Sequence, residues 1–241
     1  MNIIQFDTID STNTYLKNHY QELPHLTVVT AKHQTAGRGR MNRSFIDDSS
    51  QLLFSILLKN DLEHIQLFPL FAAMTVHDVL INYADKALIK WPNDILVNNL
   101  KLCGILTESI YTNHCEAIII GIGINVSTIE FPDEIKNTAT SLKLLNSDSF
   151  STDILLNELL KSFQEKLPLF NVDPLIAIQY INRYSALKDA SISYYSDGIL
   201  QEGQVIEIAD NGALHVITNQ KHFYLNSGEV NKIQTKTPIT R

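Results

Sequence analysis

Residues 87–106 read "ALIKWPNDILVNNLKLCGIL", and this stretch says most about the fold. Three short apolar runs, "ALIK", "ILV" and "KLCGIL", are separated by two turns. The first, "WPND", sets the chain's single tryptophan, Trp91, beside Pro92, with Asn93 and Asp94 behind them. Proline, asparagine and aspartate all favour turns. The second, Asn98-Asn99, is a two-residue hairpin connection, since asparagine tolerates the positive φ such a turn demands. The β region continues through "KLCGILTES" into "EAIIIGIGIN", residues 116–125. Two residues within it do not suit a core strand. A strand lysine such as Lys101 usually sits at an edge with its head in water. A glycine such as Gly104 signals that something approaches the backbone closely. Strict alternation puts Leu102, Gly104 and Leu106 on one face and Lys101, Cys103 and Ile105 on the other.

Working outward, "IIQF" predicts a strand, "DTIDSTN" a polar turn, "TYLKNHYQEL" an amphipathic helix and "LTVVTA" a second strand. "QLLFSILL", residues 51–58, reads as a buried strand. A helical pattern runs from Glu63 to Tyr83, with Pro69 near its start, where proline is tolerated. Further helices are expected near 152–168, capped by Ser151, and 174–186, opened by Asp173-Pro174. After residue 188 short strands alternate with turns at Ser196-Asp197-Gly198 and Asp210-Asn211-Gly212. The expected architecture is α+β: residues 1–187 as one mixed domain and residues 188–241 as a small C-terminal β-barrel that leans on it.

The chain has 241 residues, a net charge of -7 and 44% hydrophobic residues. The acidic balance argues against broad nucleic-acid binding. No apolar run reaches membrane-spanning length, the N-terminus has no signal-peptide pattern, and two cysteines do not make a disulfide framework. A soluble protein of the reducing cytoplasm is expected, with no membrane.

Against that acidic background, residues 35–45, "TAGRGRMNRSF", hold three arginines. Gly37 and Gly39 let backbone fold around a ligand, and Arg38 and Arg40 offer bidentate donors for phosphate oxygens. A solvated basic loop has the same composition, so this stretch alone is not decisive. Ser11, Thr12 and Asn13 open a helix, where one of them caps it, and Gln34 stands at the mouth of the arginine loop. Together these neutral groups both donate and accept, which suits a ligand with C=O and N–H edges such as a ureido ring.

The order "STN", "QTAGRGR", "KWPND", "KLCGIL", "GIGIN" and a terminal β module resembles the biotin protein ligases over nearly the whole chain. The resemblance implies a mixed sheet with helices, similar to class II aminoacyl-tRNA synthetases. It implies activation of biotin with ATP and Mg²⁺ to biotinyl-5'-adenylate, then transfer of biotin to a lysine of a biotin carboxyl carrier domain. It also assigns roles. Ser11, Thr12, Asn13, Gln34, Gly37, Arg38, Gly39, Arg40, Lys101 and Gly104 fall to biotin. Arg40, Arg43, Phe45, Lys90, Asn93, Lys101 and Asn125 fall to ATP. Lys101, Arg38, Arg40 and Asp94 fall to the chemistry, Asp94 as orienter or proton acceptor for the incoming lysine. The loop is expected to order over the adenylate. Spacing assigns no magnesium ligand.

The sequence departs from the family at Met41–Phe45, where many members have a basic residue, glycine, arginine and then tryptophan. "GQVIEIADNG" lacks the arginine that some relatives supply to the nucleotide, so no site residue is expected in the C-terminal module. With the signature starting at residue 11, a ligase without DNA-binding or repressor function is expected, and a homodimer is possible within the family. The competing readings are a lipoate or octanoyl ligase or transferase on the same scaffold, and a non-catalytic RNA-binding protein.

Overall fold

The computed structural model describes residues 1–39, 47–60, 62–146, 150–196, 198–226 and 230–232. Two sheets organise them. The larger is built from β1 (Asn2–Ile9), β2 (Thr27–Gln34), β3 (Gln51–Leu58), β4 (Ala87–Lys90), β5 (Asp94–Val97), β6 (Leu100–Tyr111) and β7 (Cys115–Asn125). Its strand order is β1-β2-β3-β7-β6-β5-β4. Only β1 and β2 run parallel; every other neighbouring pair is antiparallel. A parallel pair needs a crossover, and helix α1 (Thr12–His19) supplies it. Ser11 caps α1 by accepting from the Thr14 N–H at 3.4 Å.

Alternation along β3 and β7 gives the sheet two different faces. Leu52, Phe54, Ile56 and Leu58 on β3, with Ile118, Ile120, Ile122 and Ile124 on β7, meet the helices of the main core. Leu57, Ala117 and Ile119 meet α1 in a smaller cluster on the other side. On that second face, beyond α1, β7 carries Gly121 and Gly123 and leaves the sheet uncovered. The main core is closed by α2 (Phe68–Leu80), α4 (Thr152–Val172) and α5 (Leu175–Tyr184). Phe68, Phe71, Phe163 and Phe170 interlock there, with ring centroids between 4.6 and 6.1 Å apart.

Several boundaries differ from the expectation. The helix anticipated from Glu63 is interrupted at its start: His64 is left-handed at φ 51, a single 3₁₀ turn follows at Ile65–Leu67, and α2 begins at Phe68. α4 runs past Pro168 to Val172, because the fully buried Phe170 ring draws the last turn into the core against Phe68 and Phe71. A short helix, α3 (Leu142–Leu145), capped by Ser141, was not foreseen.

The smaller sheet contains β8 (Ser191–Ser196), β9 (Ile199–Ile208), β10 (Leu214–Thr218), β11 (Lys221–Leu225) and β12 (Val230–Lys232). It is fully antiparallel, in the order β11-β10-β9-β8-β12. Its inward side chains, among them Ile192, Val205, Leu214 and Val216, join the same apolar cluster as the larger sheet. Trp91 Nε1 donates to the Gly212 carbonyl at 3.0 Å, tying the "WPND" turn to the β9–β10 turn.

Candidate active site

The uncovered face of the larger sheet forms a cleft of about 490 Å³, within the range of small-molecule sites. One end lies beneath the start of α1. Thr12, Asn13 and Ser55 are buried there and joined by short hydrogen bonds. Thr12 Oγ1 lies 2.7 Å from Ser55 Oγ, and Ser55 Oγ donates to Asn13 Oδ1 at 2.6 Å. The Thr12 N–H donates to Gln34 Oε1 at 2.8 Å. Asn13 Nδ2 donates to Glu108 Oε2 at 2.8 Å. Gly121 makes room for this arrangement: a Cβ there would stand 2.2 Å from Asn13 Oδ1.

The other end is cationic. Lys101 Nζ lies 2.8 Å from Asp94 Oδ1, and its ammonium and Cε cover Gly104, where a Cβ would meet them at 2.9 and 2.8 Å. Lys101 and Gly104 therefore share a face, contrary to strict alternation. The cause is a β-bulge. Ile95 pairs with Cys103 and Leu96 with Lys101, so Leu102 is an extra residue without a partner on β5. A bulge reverses the side-chain order beyond it. Leu102 and Cys103, adjacent in sequence, are both buried in the main core, and Lys101 is released into the cleft. The Lys101 backbone is fixed independently, donating to the Thr138 carbonyl at 2.7 Å and accepting from the Thr140 N–H at 2.9 Å. Burial pushes the Cys103 thiol pKa up, so this neighbour is a core residue rather than a nucleophile.

The remaining anticipated residues divide into three groups. Ser11, Gln34, Arg38, Gly39 and Lys90 line the cleft, and Gly37 is buried beside it. Asn93 and Asn125 also line it, but their amides hold backbone: Asn93 Nδ2 donates to the Ile105 carbonyl at 2.6 Å and Asn125 Nδ2 to the Thr140 carbonyl at 2.9 Å. Arg40, Arg43 and Phe45, and with them the expected ordering of the loop, lie outside the described residues.

Sequence reasoning missed Ser55, a polar residue within an apolar strand run, and Glu108, in the polar triplet Thr107-Glu108-Ser109. It also missed Phe131 and Ile135 from the segment after β7, and Val230 and Asn231 of β12, which line the cleft from the smaller sheet. No site residue was expected in the C-terminal module, and these two residues belong to the cleft wall. A second, open depression of about 750 Å³ lies near Tyr20, Lys59 and Glu116. Several of its polar side chains are already paired: Glu116 with Tyr20 and Thr112, Lys59 with the Gln21 and Leu23 carbonyls.

Residues 5–125 match the biotin/lipoate A/B protein ligase family. A bifunctional ligase/repressor BirA of Bacillus spizizenii is 36% identical over 172 residues, covering 68% of this chain and 53% of that protein. The chain thus spans about half the length of that relative. A biotin–[acetyl-CoA-carboxylase] ligase of Mycobacterium tuberculosis is 27% identical over 213 residues, covering 84% of this chain and 77% of the other. Among solved structures, biotin protein ligase from Aquifex aeolicus in complex with biotin and ATP superposes with a TM-score of 0.86 at 27% identity, covering 97% of this chain and 99% of that one. The chain belongs to the biotin/lipoate A/B protein ligase family.

Proposed function

We propose that this chain is an ATP-dependent biotin protein ligase. It joins biotin to ATP as biotinyl-5'-adenylate and passes the biotinyl group to a lysine of a biotin carboxyl carrier domain. The observation that carries the reading is the polarity of the cleft. A neutral end rich in hydroxyl and amide groups is joined along a glycine floor to a fixed lysine–aspartate pair. A ureido ring needs donors and acceptors together, as Thr12 and Gln34 supply them. The lipoate head, a dithiolane, carries no N–H or C=O edge for Thr12 and Gln34 to recognise.

In the first step a biotin carboxylate oxygen attacks the α-phosphorus of ATP and the bond to pyrophosphate breaks. Two negatively charged groups must meet. Lys101, fixed over Gly104, is placed to neutralise them, and Arg38, with Arg40, supplies further cationic donors. Lys90, Asn93 and Asn125, with Arg43 and Phe45, fall on the nucleotide side. Mg²⁺ enters with ATP. The ion would be held chiefly by the phosphates and its own water, leaving the cationic side chains to the reacting oxygens. In the second step the carrier lysine's amine attacks the acyl carbon and AMP leaves. Asp94, ion-paired with Lys101 at 2.8 Å, takes the proton released by the amine.

Labelling of a purified carrier domain tests the reading. Incubation with ATP and either biotin or lipoate is expected to give mass addition with biotin alone. Addition of lipoate alone would overturn it.

A further inference from the structure

Beside Lys101 the larger sheet loses a strand and gains a substitute. The β6–β7 ladder begins only at Cys103 and Ile124, so on that edge no β7 residue pairs with Lys101. The returning segment 138–140 takes the place. Ala139 bridges to Lys101, the Thr138 carbonyl accepts the Lys101 N–H at 2.7 Å, and the Thr140 N–H donates to the Lys101 carbonyl at 2.9 Å. Asn125 braces the junction, its Nδ2 reaching the Thr140 carbonyl at 2.9 Å and the Lys101 carbonyl at 3.4 Å. On the other edge the bulge at Leu102 interrupts the pairing with β5, so this hold on Lys101 matters.

The segment is anchored in turn through one hydroxyl. Ser141 is fully buried. Its Oγ donates to the Thr128 carbonyl at 2.5 Å and accepts the Leu144 N–H at 3.1 Å. One side chain thus closes the base of the 128–141 loop and caps α3. A second bond across that base, from the Lys143 N–H to the Val126 carbonyl at 2.9 Å, lies two residues farther along the chain from Thr140. Thr128 is itself held at the start of β3: its Oγ1 lies 2.5 Å from Ser50 Oγ and accepts from Gln51 Nε2 at 3.2 Å.

We infer that Ser141 is a positioning residue for Lys101: by anchoring the 138–140 segment to Thr128, it fixes the backbone that carries the cation without touching substrate. The inference rests on the functional reading above, in which the Lys101 ammonium meets the reacting carboxylate and phosphate. Loss of the hydroxyl leaves the buried Thr128 carbonyl and the Leu144 N–H without partners, and the segment beside Lys101 loses its anchor. A displacement of about 1 Å is enough to slow a step that depends on the placement of one group.

A double-mutant cycle between the two residues tests this. Ser141→Ala is expected to slow pyrophosphate release at saturating biotin and ATP about tenfold. The Kd for biotin should stay within about twofold of the wild type. In a Lys101→Ala background the same substitution should change the rate by less than about twofold, because residues that act as a unit are not additive. The cycle separates this route from an effect on the cleft wall. Phe131, Ile135 and Thr138 of the same loop line the cleft, and a loss transmitted through them persists when the lysine is gone. Equal losses in both backgrounds would overturn the inference, as would a wild-type rate for Ser141→Ala. Should Ser141→Ala not fold, Thr128→Val removes the hydroxyl that ties the same anchor to Ser50 and Gln51. The cycle of Thr128→Val with Lys101→Ala is expected to be non-additive in the same way, and additive losses there overturn the inference. Failure of the wild-type chain to release pyrophosphate with biotin and ATP would defeat the functional reading itself. Additive losses in an active wild type defeat this inference alone.

Discussion

Gly121 and Gly104 contribute through the side chains they lack. At Gly121 a methyl group would overlap Asn13 Oδ1, at 2.2 Å, and Asn13 is pinned between Ser55 and Glu108. Gly121→Ala is therefore expected to displace Asn13, lower stability by about 1–3 kcal/mol and weaken biotin binding; thermal unfolding and calorimetry read the two effects. At Gly104 the overlapping atoms are the far end of the Lys101 side chain, Cε and Nζ, with no backbone among them, so the fold there would survive a methyl group while the cation was displaced. Lys101 is the residue on which the proposed chemistry depends most. Lys101→Ala should leave the unfolding midpoint nearly unchanged, since its side chain is 41% exposed. It should slow pyrophosphate release by about 10²–10³-fold, the range seen on removing one fixed electrostatic contact to a transition state. A wild-type rate would remove Lys101 from the mechanism.

At the scale of elements, α2 carries a buried histidine. His77 is fully buried and sits between the Tyr180 hydroxyl at 3.0 Å and the Ala87 carbonyl at 2.9 Å. Burial lowers its pKa below the ordinary value, outweighing the opposing hydrogen bond to Ala87 and the Asp78 charge. The unfolded chain therefore binds a proton that the folded chain resists. Stability is full above about pH 6.5 and falls as pH drops below it, until the folded-state pKa is reached. His77→Gln keeps an amide for Ala87 and should flatten the stability–pH curve in that window; an unchanged slope would show that His77 does not titrate there. Most elements were legible in the sequence because their signals were local. Asn98 and Asn99 are both left-handed, at φ 52 and 65, as a two-residue hairpin requires, and Ser151 caps α4 through the Ile154 N–H at 3.3 Å. The bulge at Leu102 was not legible. It depends on register with β5 and on the 138–140 segment that holds the Lys101 backbone, both set by tertiary contacts. The three-residue β12 is too short to carry a pattern. Ser55 was visible as a polar residue in an apolar run and Glu108 was one of three consecutive polar residues, but only the fold brings Asn13 between them.

At the scale of the whole molecule, the two sheets share one apolar cluster. We propose the division near residue 188 as a structural one that unfolding does not respect. Trp91 and Gly212 are bonded across it, Asn182 is bonded to both the N–H and the carbonyl of Ile208, and a Cβ at Gly212 would press on Leu67 and Leu70. Scanning calorimetry should show a single transition; two well-separated transitions would contradict the shared core. The same closeness brings Val230 and Asn231 to the cleft wall, so the smaller sheet shapes the site.

The most direct test of the account is isothermal calorimetry of the whole chain with biotin, followed by ATP–Mg²⁺ with pyrophosphate assayed in the same cell. The account predicts saturable biotin binding without nucleotide, then one equivalent of pyrophosphate released per chain with the adenylate retained. No heat with biotin, together with saturable binding of lipoate, would contradict it.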